Sequence, residues 1–486
     1  MGKRYGCRLT PVAPYSPQGT AASPAHGDAH PQNDRSVIRP SRSTFRAIAA
    51  VLLSLAVCAE GAAAQDSPRA TSADSAAAAT ALANGLRIAE RYHVGAIATR
   101  RFDHEGFWSA IAPSLASPRL RTEQIGQSML GRPIRSVTFG HGRTTVLLWS
   151  QMHGDESTAT MALADIFGFL ADPAGKDPLR DRLDRALTVV FVPMLNPDGA
   201  ELFQRQNAAG IDINRDARRL ATPEARTLKA LHDRIHPAFG FNLHDQNART
   251  VAGVGGTQAA IALEAPAVSE DLSYNDVRSR ARLVAASVAG ILQPAIPGRI
   301  AKYSEAFNPR AFGEGMQVWG TSTVLIESGG LLGDPQKQRL RALNVAAILG
   351  ALDAIATGRY ASADPGVYDR LPSNRSGASD LLILGGQLVL PGQPPMRADV
   401  AVNYDDAIAR TEPRVRDVGD LQEAMAVDTV DATGLFLHPT PWSLYAGSGG
   451  DWFRIGAPAV IAIRRGADST SALVRVIGGA EGGTRR

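Results

Sequence analysis

The chain predicts an α/β fold: a mixed, largely parallel sheet with helices on both faces, followed by a small C-terminal β-rich domain. Three observations lead there. Between residues 144 and 357, apolar runs of strand length alternate with segments of helical spacing. The residues with chemical character fall just beyond those strands, at what would be their carboxyl ends. After about residue 360 the helical spacing stops, and Gly and Pro punctuate short β-like runs.

The elements follow in order. Asp74 is a possible N-cap for a surface helix ending near Tyr92, and residues 100–135 read as a preamble ending in a Gly-Arg-Pro turn. Thr144–Trp149 predicts the first strand and Ser157–Leu170 a helix. Leu187–Leu195 predicts a second strand, closed by the turn Asn196-Pro-Asp-Gly. Thr222-Pro-Glu starts a helix that runs to Ile235, with Pro at its first position. Phe239–Leu243 is a third strand, Asp276–Ile291 a helix, Thr321–Ile326 a fourth strand and Pro335–Thr357 a long closing helix. Leu381–Leu390, Ala398–Asn403, Ala459–Arg464 and Leu473–Ile477 read as strands of the β-rich part.

The domain boundaries expected are a leader with secretory signal at 1–64, a linker and helical preamble at 65–121, the α/β unit at 122–360, a linker at 361–379 and the β-rich domain at 380–486. The leader combines Arg39, Arg42 and Arg46, an apolar run to Cys58 and small residues Ala62–Ala64, which is the pattern of a cleaved export signal. Residues 1–36 are longer than such a signal needs, so initiation near Val37 is expected. Val57 before Cys58 argues against lipidation, and no stable membrane anchor is expected once the signal is removed. Both cysteines, Cys7 and Cys58, precede the expected cleavage, so an exported protein of the bacterial periplasm or exterior without disulfides is expected.

Residues 1–64 hold seven Lys/Arg and three Asp/Glu, so their removal brings the formal charge from +4 to zero. A basic sequence therefore does not imply a nucleic-acid partner. The content of 44% hydrophobic and 20% charged residues is that of a globular protein.

Two short strings carry most of the chemistry. His153-Gly-Asp-Glu156 and the His244 of Phe-Asn-Leu-His-Asp supply two imidazoles and one carboxylate. That is the ligand set of a catalytic zinc site with one position left for water. A His-x-x-Glu string alone is weak, and a lone His is more often a packed core residue. The case depends on the constellation. Glu327 ends the apolar string Thr-Val-Leu-Ile, where a carboxylate costs free energy unless it is compensated; a salt bridge or cap is the plain reading, and a general base the functional one. Arg205, Asn214 and Arg215 put three donors in one short segment, suited to an oxyanion and to a free carboxylate.

Residues from about Gln124 to Thr357 resemble the zinc carboxypeptidase family. The strings that carry the resemblance are His153-Gly-Asp-Glu156, Asn196-Pro-Asp-Gly199, Arg205 to Asn214-Arg215, Leu243-His244 and Ile326-Glu327-Ser-Gly-Gly, in the family's order. The resemblance implies one zinc ion on His153, Glu156 and His244. It implies that Arg205 polarises the scissile carbonyl, that Asn214 and Arg215 hold the substrate's terminal carboxylate, and that Glu327 is the catalytic carboxylate. Tyr303 stands in roughly the region of the family's substrate-capping tyrosine, although its local string matches poorly. The segment between Glu156 and His244 is short for the digestive members, and no residue stands out as the floor of a specificity pocket. The expected substrate is a peptide with a free C-terminal carboxylate. Peptidoglycan stem peptides, or binding of peptide C termini without hydrolysis, are the alternatives.

Overall fold

The computed structural model describes residues 72–478, apart from 175, 255, 448 and 449. The expected leader, signal and cleavage site lie outside them.

The described chain opens with helices α1 (Ser72–Arg91) and α2 (His104–Leu115). A hairpin follows, β1 (Leu120–Gln127) and β2 (Pro133–Phe139), and then the alternation begins. It runs β3 (Thr144–Ser150), α3 (Thr158–Ala171), α4 (Pro178–Ala186), β4 (Leu187–Val192), α5 (Pro197–Leu202), α6 (Pro223–Ile235) and β5 (Phe239–Asp245). Two short strands, β6 (Val251–Ala252) and β7 (Thr257–Gln258), precede β8 (Ile261–Glu264) and α7 (Asp276–Leu292). β9 (Ile300–Lys302), α8 (Phe312–Val318), β10 (Ser322–Ser328), α9 (Gln338–Thr357) and α10 (Pro365–Asp369) complete this part.

Eight strands form one sheet in the order β1-β2-β4-β3-β5-β10-β8-β9. Its centre, β4-β3-β5-β10, is parallel throughout. β2 joins antiparallel on one side and β8 on the other, which makes the sheet mixed. The central strands are apolar on both faces because helices cover both. Along β3, Val146 and Leu148 enter one core while Leu147 and Trp149 enter the other. Along β4, Val189 and Phe191 alternate with Val190 and Val192 in the same way. The larger core packs α1, α2, α3, α7 and α9 on one face; the smaller packs α6 and α8 on the other.

Three expectations need correction. The helix near residue 74 keeps an exposed outer face, but its start and the packing of its inner face differ from the expectation. It starts at Ser72, so Asp74 lies within it, and it packs along α9 so closely that a Cβ on Gly85 would come 2.4 Å from Ala346 Cα. Small residues, which the sequence offered no reason to bury, are what permit that approach. Residues 120–127 and 133–139 are paired strands rather than a preamble, joined across the expected Gly131-Arg132-Pro133 turn. Residues 361–379 are not a loose linker: Tyr368 of α10 is fully buried, donating to Glu305 Oε1 at 3.0 Å and accepting from Ala265 N at 3.0 Å. Helix α9 is apolar and long enough to cross a membrane, but 83% of its apolar window is buried in the protein, so it is a core helix.

The remaining strands form the β-rich part. β11 (Asn374–Arg375) pairs with β6 of the preceding part. β12 (Leu381–Leu384), β13 (Gln387–Leu388), β14 (Met396–Arg397), β15 (Asp399–Asp406), β16 (Thr411–Gly419), β17 (Thr429–Asp431) and β18 (Phe436–Pro439) follow. A hairpin of β19 (Leu444–Gly447) and β20 (Gly450–Phe453) precedes β21 (Ile461–Arg464) and β22 (Leu473–Ile477). A four-stranded and a five-stranded sheet share one core that includes Ile383, Val400, Leu437 and Ile461. Arg249 joins this part to the first through Asp380 Oδ2 at 3.0 Å, and Arg100 pairs with Asp406.

Candidate active site

The carboxyl ends of β3, β5 and β10 meet at one place. His244 and Glu327 are direct register neighbours on β5 and β10. His153 and Glu156 come from the turn after β3, before α3 begins at Thr158. That turn is shaped by its contacts. Gln151 takes a left-handed φ of 48° and its Nε2 donates to Gly154 O at 2.9 Å. Gly154 lies against the first turn of α5, where a Cβ would stand 2.0 Å from the backbone carbon of Gly199. Gly154 cannot be replaced without moving the α5 turn, while a Cβ on Gly199 would meet Asn196 Nδ2 at 2.4 Å and Gln206 O at 2.7 Å, so both glycines are needed where the strings His-Gly-Asp-Glu and Asn-Pro-Asp-Gly meet.

Within Asn-Pro-Asp-Gly the side chains are structural. Asn196 caps α5 by accepting from Gly199 N at 2.9 Å. Asp198 accepts from Ser128 Oγ (2.8 Å), Leu130 N (2.9 Å) and Arg132 Nη1 (2.7 Å), pinning the turn between β1 and β2.

Glu156 stands between the two imidazoles. Its Oε1 is 2.7 Å from His153 Nδ1, and its Oε2 is 2.7 Å from His244 Nδ1; the two ring nitrogens are 3.1 Å apart. All three residues are buried. Zinc bonds of about 2.0–2.2 Å at tetrahedral angles would separate such donor atoms by roughly 3.3 Å, so the set fits a zinc ion with little movement. The donor chemistry, two imidazoles and a carboxylate, fits as well. His153 turns its other nitrogen, Nε2, to Asp212 Oδ1 at 3.0 Å, the arrangement by which a carboxylate orients a ligating imidazole.

The electrostatics follow from this packing. Burial would lower His153, but the charge of Glu156 and the hydrogen bond of Asp212 outweigh it and raise it to about 9. Burial alone would raise Glu156, yet the two imidazoles hold it well below the usual carboxylate range. Burial also opposes ionisation of Asp212; its bond to His153 and the charge of Arg205 prevail and lower it. Burial depresses His244. Glu327 goes the opposite way: burial, then the charge of Glu156, push it well above its ordinary value. Its Oε2 is buried and has no hydrogen-bond partner among the described residues.

A cavity of about 510 Å³ opens over these groups. His153, Glu156, Glu327, Arg205, Asn214, Arg215 and Tyr303 all line it. The two arginines differ. Arg205 gives Nε and Nη2 to Asp212 Oδ2 (3.1 and 2.9 Å), leaving Nη1 beside Glu156 Oε1 at 3.1 Å. Arg215 has no carboxylate partner among the described residues; its Nη1 donates only to Asn214 O at 2.7 Å. Asn214 Oδ1 accepts from Phe312 N at 2.8 Å, which leaves the amide's NH₂ as the free group. Tyr303 is held by its backbone N–H to Leu263 O at 2.9 Å; the charge of Glu327, then burial, raise its hydroxyl above its ordinary value.

Sequence reasoning passed over four residues that the structure brings here. Asp212 was inside a quoted string, but nothing in the spacing marked it as the partner of His153. Glu264 and Glu314 line the same cavity. Asn374, from the segment expected to be a linker, lines it as well.

Comparison with known proteins bears on the same segment. The zinc carboxypeptidase family model matches residues 112–252. These residues belong to the zinc carboxypeptidase family. The match takes in His153, Glu156, Arg205, Asn214, Arg215 and His244 and stops short of Glu327. Carboxypeptidase 2 of Trichophyton tonsurans is 30% identical over 108 residues, covering 22% of this chain and 20% of that protein. Carboxypeptidase SOL1 of Arabidopsis thaliana is 35% identical over 102 residues, covering 20% and 21%. The matched stretch thus spans about a fifth of the length of these curated relatives. Among solved structures, a metallo-carboxypeptidase from Burkholderia cenocepacia aligns with a TM-score of 0.43 and 18% identity, covering 53% of this chain and 70% of its own. Carboxypeptidase A from Helicoverpa armigera aligns with a TM-score of 0.40 and 15% identity, covering 57% and 82%.

Proposed function

We propose that this protein is an exported, zinc-dependent metallocarboxypeptidase that hydrolyses the C-terminal peptide bond of peptides. The observation that carries the reading is the convergence of His153, Glu156 and His244 beside a cavity, lined by His153 and Glu156, that also holds a buried carboxylate and an arginine, neither with a partner of opposite charge among the described residues. His153, Glu156 and His244 would hold one zinc ion, which when bound supplies Lewis acidity toward a carbonyl and toward water.

The protein's own groups do the rest. Arg215 takes the substrate's terminal carboxylate as a planar fork, and the free NH₂ of Asn214 adds a donor beside it. Asp212 fixes Arg205 through Nε and Nη2, so Nη1 can donate to the scissile carbonyl oxygen as charge develops there. Asp212 also keeps the His153 ring in place. Glu327 accepts a proton from the attacking water and returns it to the leaving amine. Tyr303 closes over the bound terminal residue.

The test is digestion of a mixed peptide library with mass readout, with and without a chelator. Loss of single C-terminal residues, abolished by the chelator and restored by zinc, is the expected result. Internal or N-terminal cleavage would refute the reading. Export rests on the basic flank, apolar run and small residues of 1–64; N-terminal sequencing of protein recovered outside the cytoplasm should begin near Gln65.

A further inference from the structure

We propose that Glu264 and Glu314 make this cavity selective for a terminal residue whose side chain carries a cation, an ammonium or a guanidinium. The inference rests on the carboxypeptidase reading and deepens it.

Glu264 ends β8 and is only 5% exposed, yet it lines the cavity. No hydrogen bond from a described residue reaches its carboxyl group. Its antiparallel partner is Leu325, which also lines the cavity and shares a face of β10 with Glu327 two residues on. Glu264 is therefore one strand across from the catalytic carboxylate, on the same wall. Glu314, on α8, is 7% exposed and lines the same space; its Oε1 accepts from Asn308 N at 3.1 Å, and its carboxyl group is held by backbone N–H groups and by no side chain among the described residues. Among the described residues neither glutamate has a salt-bridge partner. Arg278, the cation that acts on Glu264, is tied to Glu305 at 3.0 Å.

Two buried carboxyl groups without a salt-bridged cation are costly to ionise, and the charge of Arg215, which opposes the rise of Glu314, does not outweigh burial. Burial raises both, Glu264 well above its ordinary value and Glu314 to about 7, and the charges of Glu314, Glu305 and Glu327 raise Glu264 further. A cation placed between them relieves that cost.

The wall opposite in charge is close by. The segment that carries Glu314 packs on the segment that carries Arg215: Phe312 N donates to Asn214 Oδ1 at 2.8 Å, and Ala217 N donates to Arg310 O at 3.0 Å. The cavity thus offers an unpaired guanidinium and two unpaired carboxyl groups. A terminal lysine, arginine or other diamino acid matches both at once: its main-chain carboxylate to Arg215, its side-chain cation to the glutamates. A neutral terminal residue would leave both carboxyl groups unsatisfied, and an acidic one would add a third negative charge.

The test compares peptides identical except for the last residue: lysine, arginine, norleucine, glutamine and glutamate. The zinc-loaded wild type should cleave the lysine and arginine peptides with kcat/KM about tenfold to a hundredfold above norleucine, the range of one charged hydrogen bond. Glu264→Gln and Glu314→Gln should each shrink that ratio toward one. In parallel, calorimetry measures binding of free arginine and free norleucine to wild type and to both variants; arginine should bind more tightly, and the difference should shrink in each variant. This second arm does not require turnover. If no peptide is cleaved but arginine binding depends on Glu264, the selectivity stands and the peptidase reading falls. If peptides are cleaved with norleucine, glutamine or glutamate equal to or above lysine and arginine, or if the Gln variants leave both ratios unchanged, the proposal is overturned. Melting temperatures and zinc contents matching wild type verify that the variants fold.

Discussion

Arg215 offers a sharp separation of function from stability. Among the described residues its guanidinium lines the cavity without a carboxylate partner, and its one hydrogen bond is to the neighbouring Asn214 carbonyl. Truncation by Arg215→Ala therefore removes little from the fold; a change within about 0.5 kcal/mol is expected, as for a residue with no buried partner. Substrate binding should suffer far more. A fork donating to both oxygens of a terminal carboxylate makes two charged hydrogen bonds of about 1.5–3 kcal/mol each, so kcat/KM should fall by about 10²–10⁴. Arg215→Lys should recover only part of this, since an ammonium cannot present the fork. The assay is kcat/KM for a peptide acid and for the same peptide with a C-terminal amide, on wild type and Arg215→Ala. The amide should already be poor on wild type, and the variant should lose little more on it. An equal loss on acid and amide would mean that Arg215 does not hold the carboxylate. A large fall in melting temperature would mean that it has a structural role that its contacts do not indicate.

Other outcomes follow from the same geometry. Glu327→Gln should lower turnover by about 10²–10⁴, the usual contribution of general acid–base catalysis, while zinc content measured by elemental analysis stays at that of wild type. Gly154→Ala should destabilise the protein and weaken zinc retention together, because the added Cβ meets the Gly199 backbone at 2.0 Å; thermal unfolding and zinc release kinetics check this. Arg341→Ala should cost about 3–5 kcal/mol in denaturant unfolding, since it leaves Asp165 buried without the Nε and Nη2 bonds of 2.6 and 2.5 Å. Glu314, raised by burial from 4.5 to about 7, binds a proton more readily folded than unfolded. Its contribution to stability is full below pH 4.5 and is lost as pH rises toward 7, a fall of about 3 kcal/mol at most. Unfolding of Glu314→Gln across that window should lack this component; an unchanged pH profile would refute it.

The sequence made the parallel centre of the sheet legible because buried strands read as continuous apolar runs, and β3, β4, β5 and β10 each have one. β1 does not: Leu-Arg-Thr-Glu-Gln-Ile-Gly-Gln is largely exposed at the sheet edge, so nothing apolar announced it. α1 was legible only as a surface helix, and its packed inner face was not, for a related reason. Its alanines and Gly85 serve close helix packing on α9, a use of small residues that composition alone cannot distinguish from a solvated surface. At the site, His153, Glu156 and His244 were legible through ligand chemistry and the order of their strings. Glu327 was legible as a carboxylate ending an apolar strand. Glu264 carries the same signal in Ile-Ala-Leu-Glu, but its strand is only four residues long and antiparallel to its neighbour β10, outside the alternation that drew attention to the others. Asp212 depended on a partner 59 residues away and needed coordinates to be seen.

The most direct measurement is anomalous diffraction at the zinc edge from crystals of the zinc-loaded protein. The account predicts one peak, about 2.0–2.2 Å from a nitrogen of His153, an oxygen of Glu156 and a nitrogen of His244, with Glu327 facing it across the cavity. A peak elsewhere, or none at full zinc occupancy in solution, would contradict it.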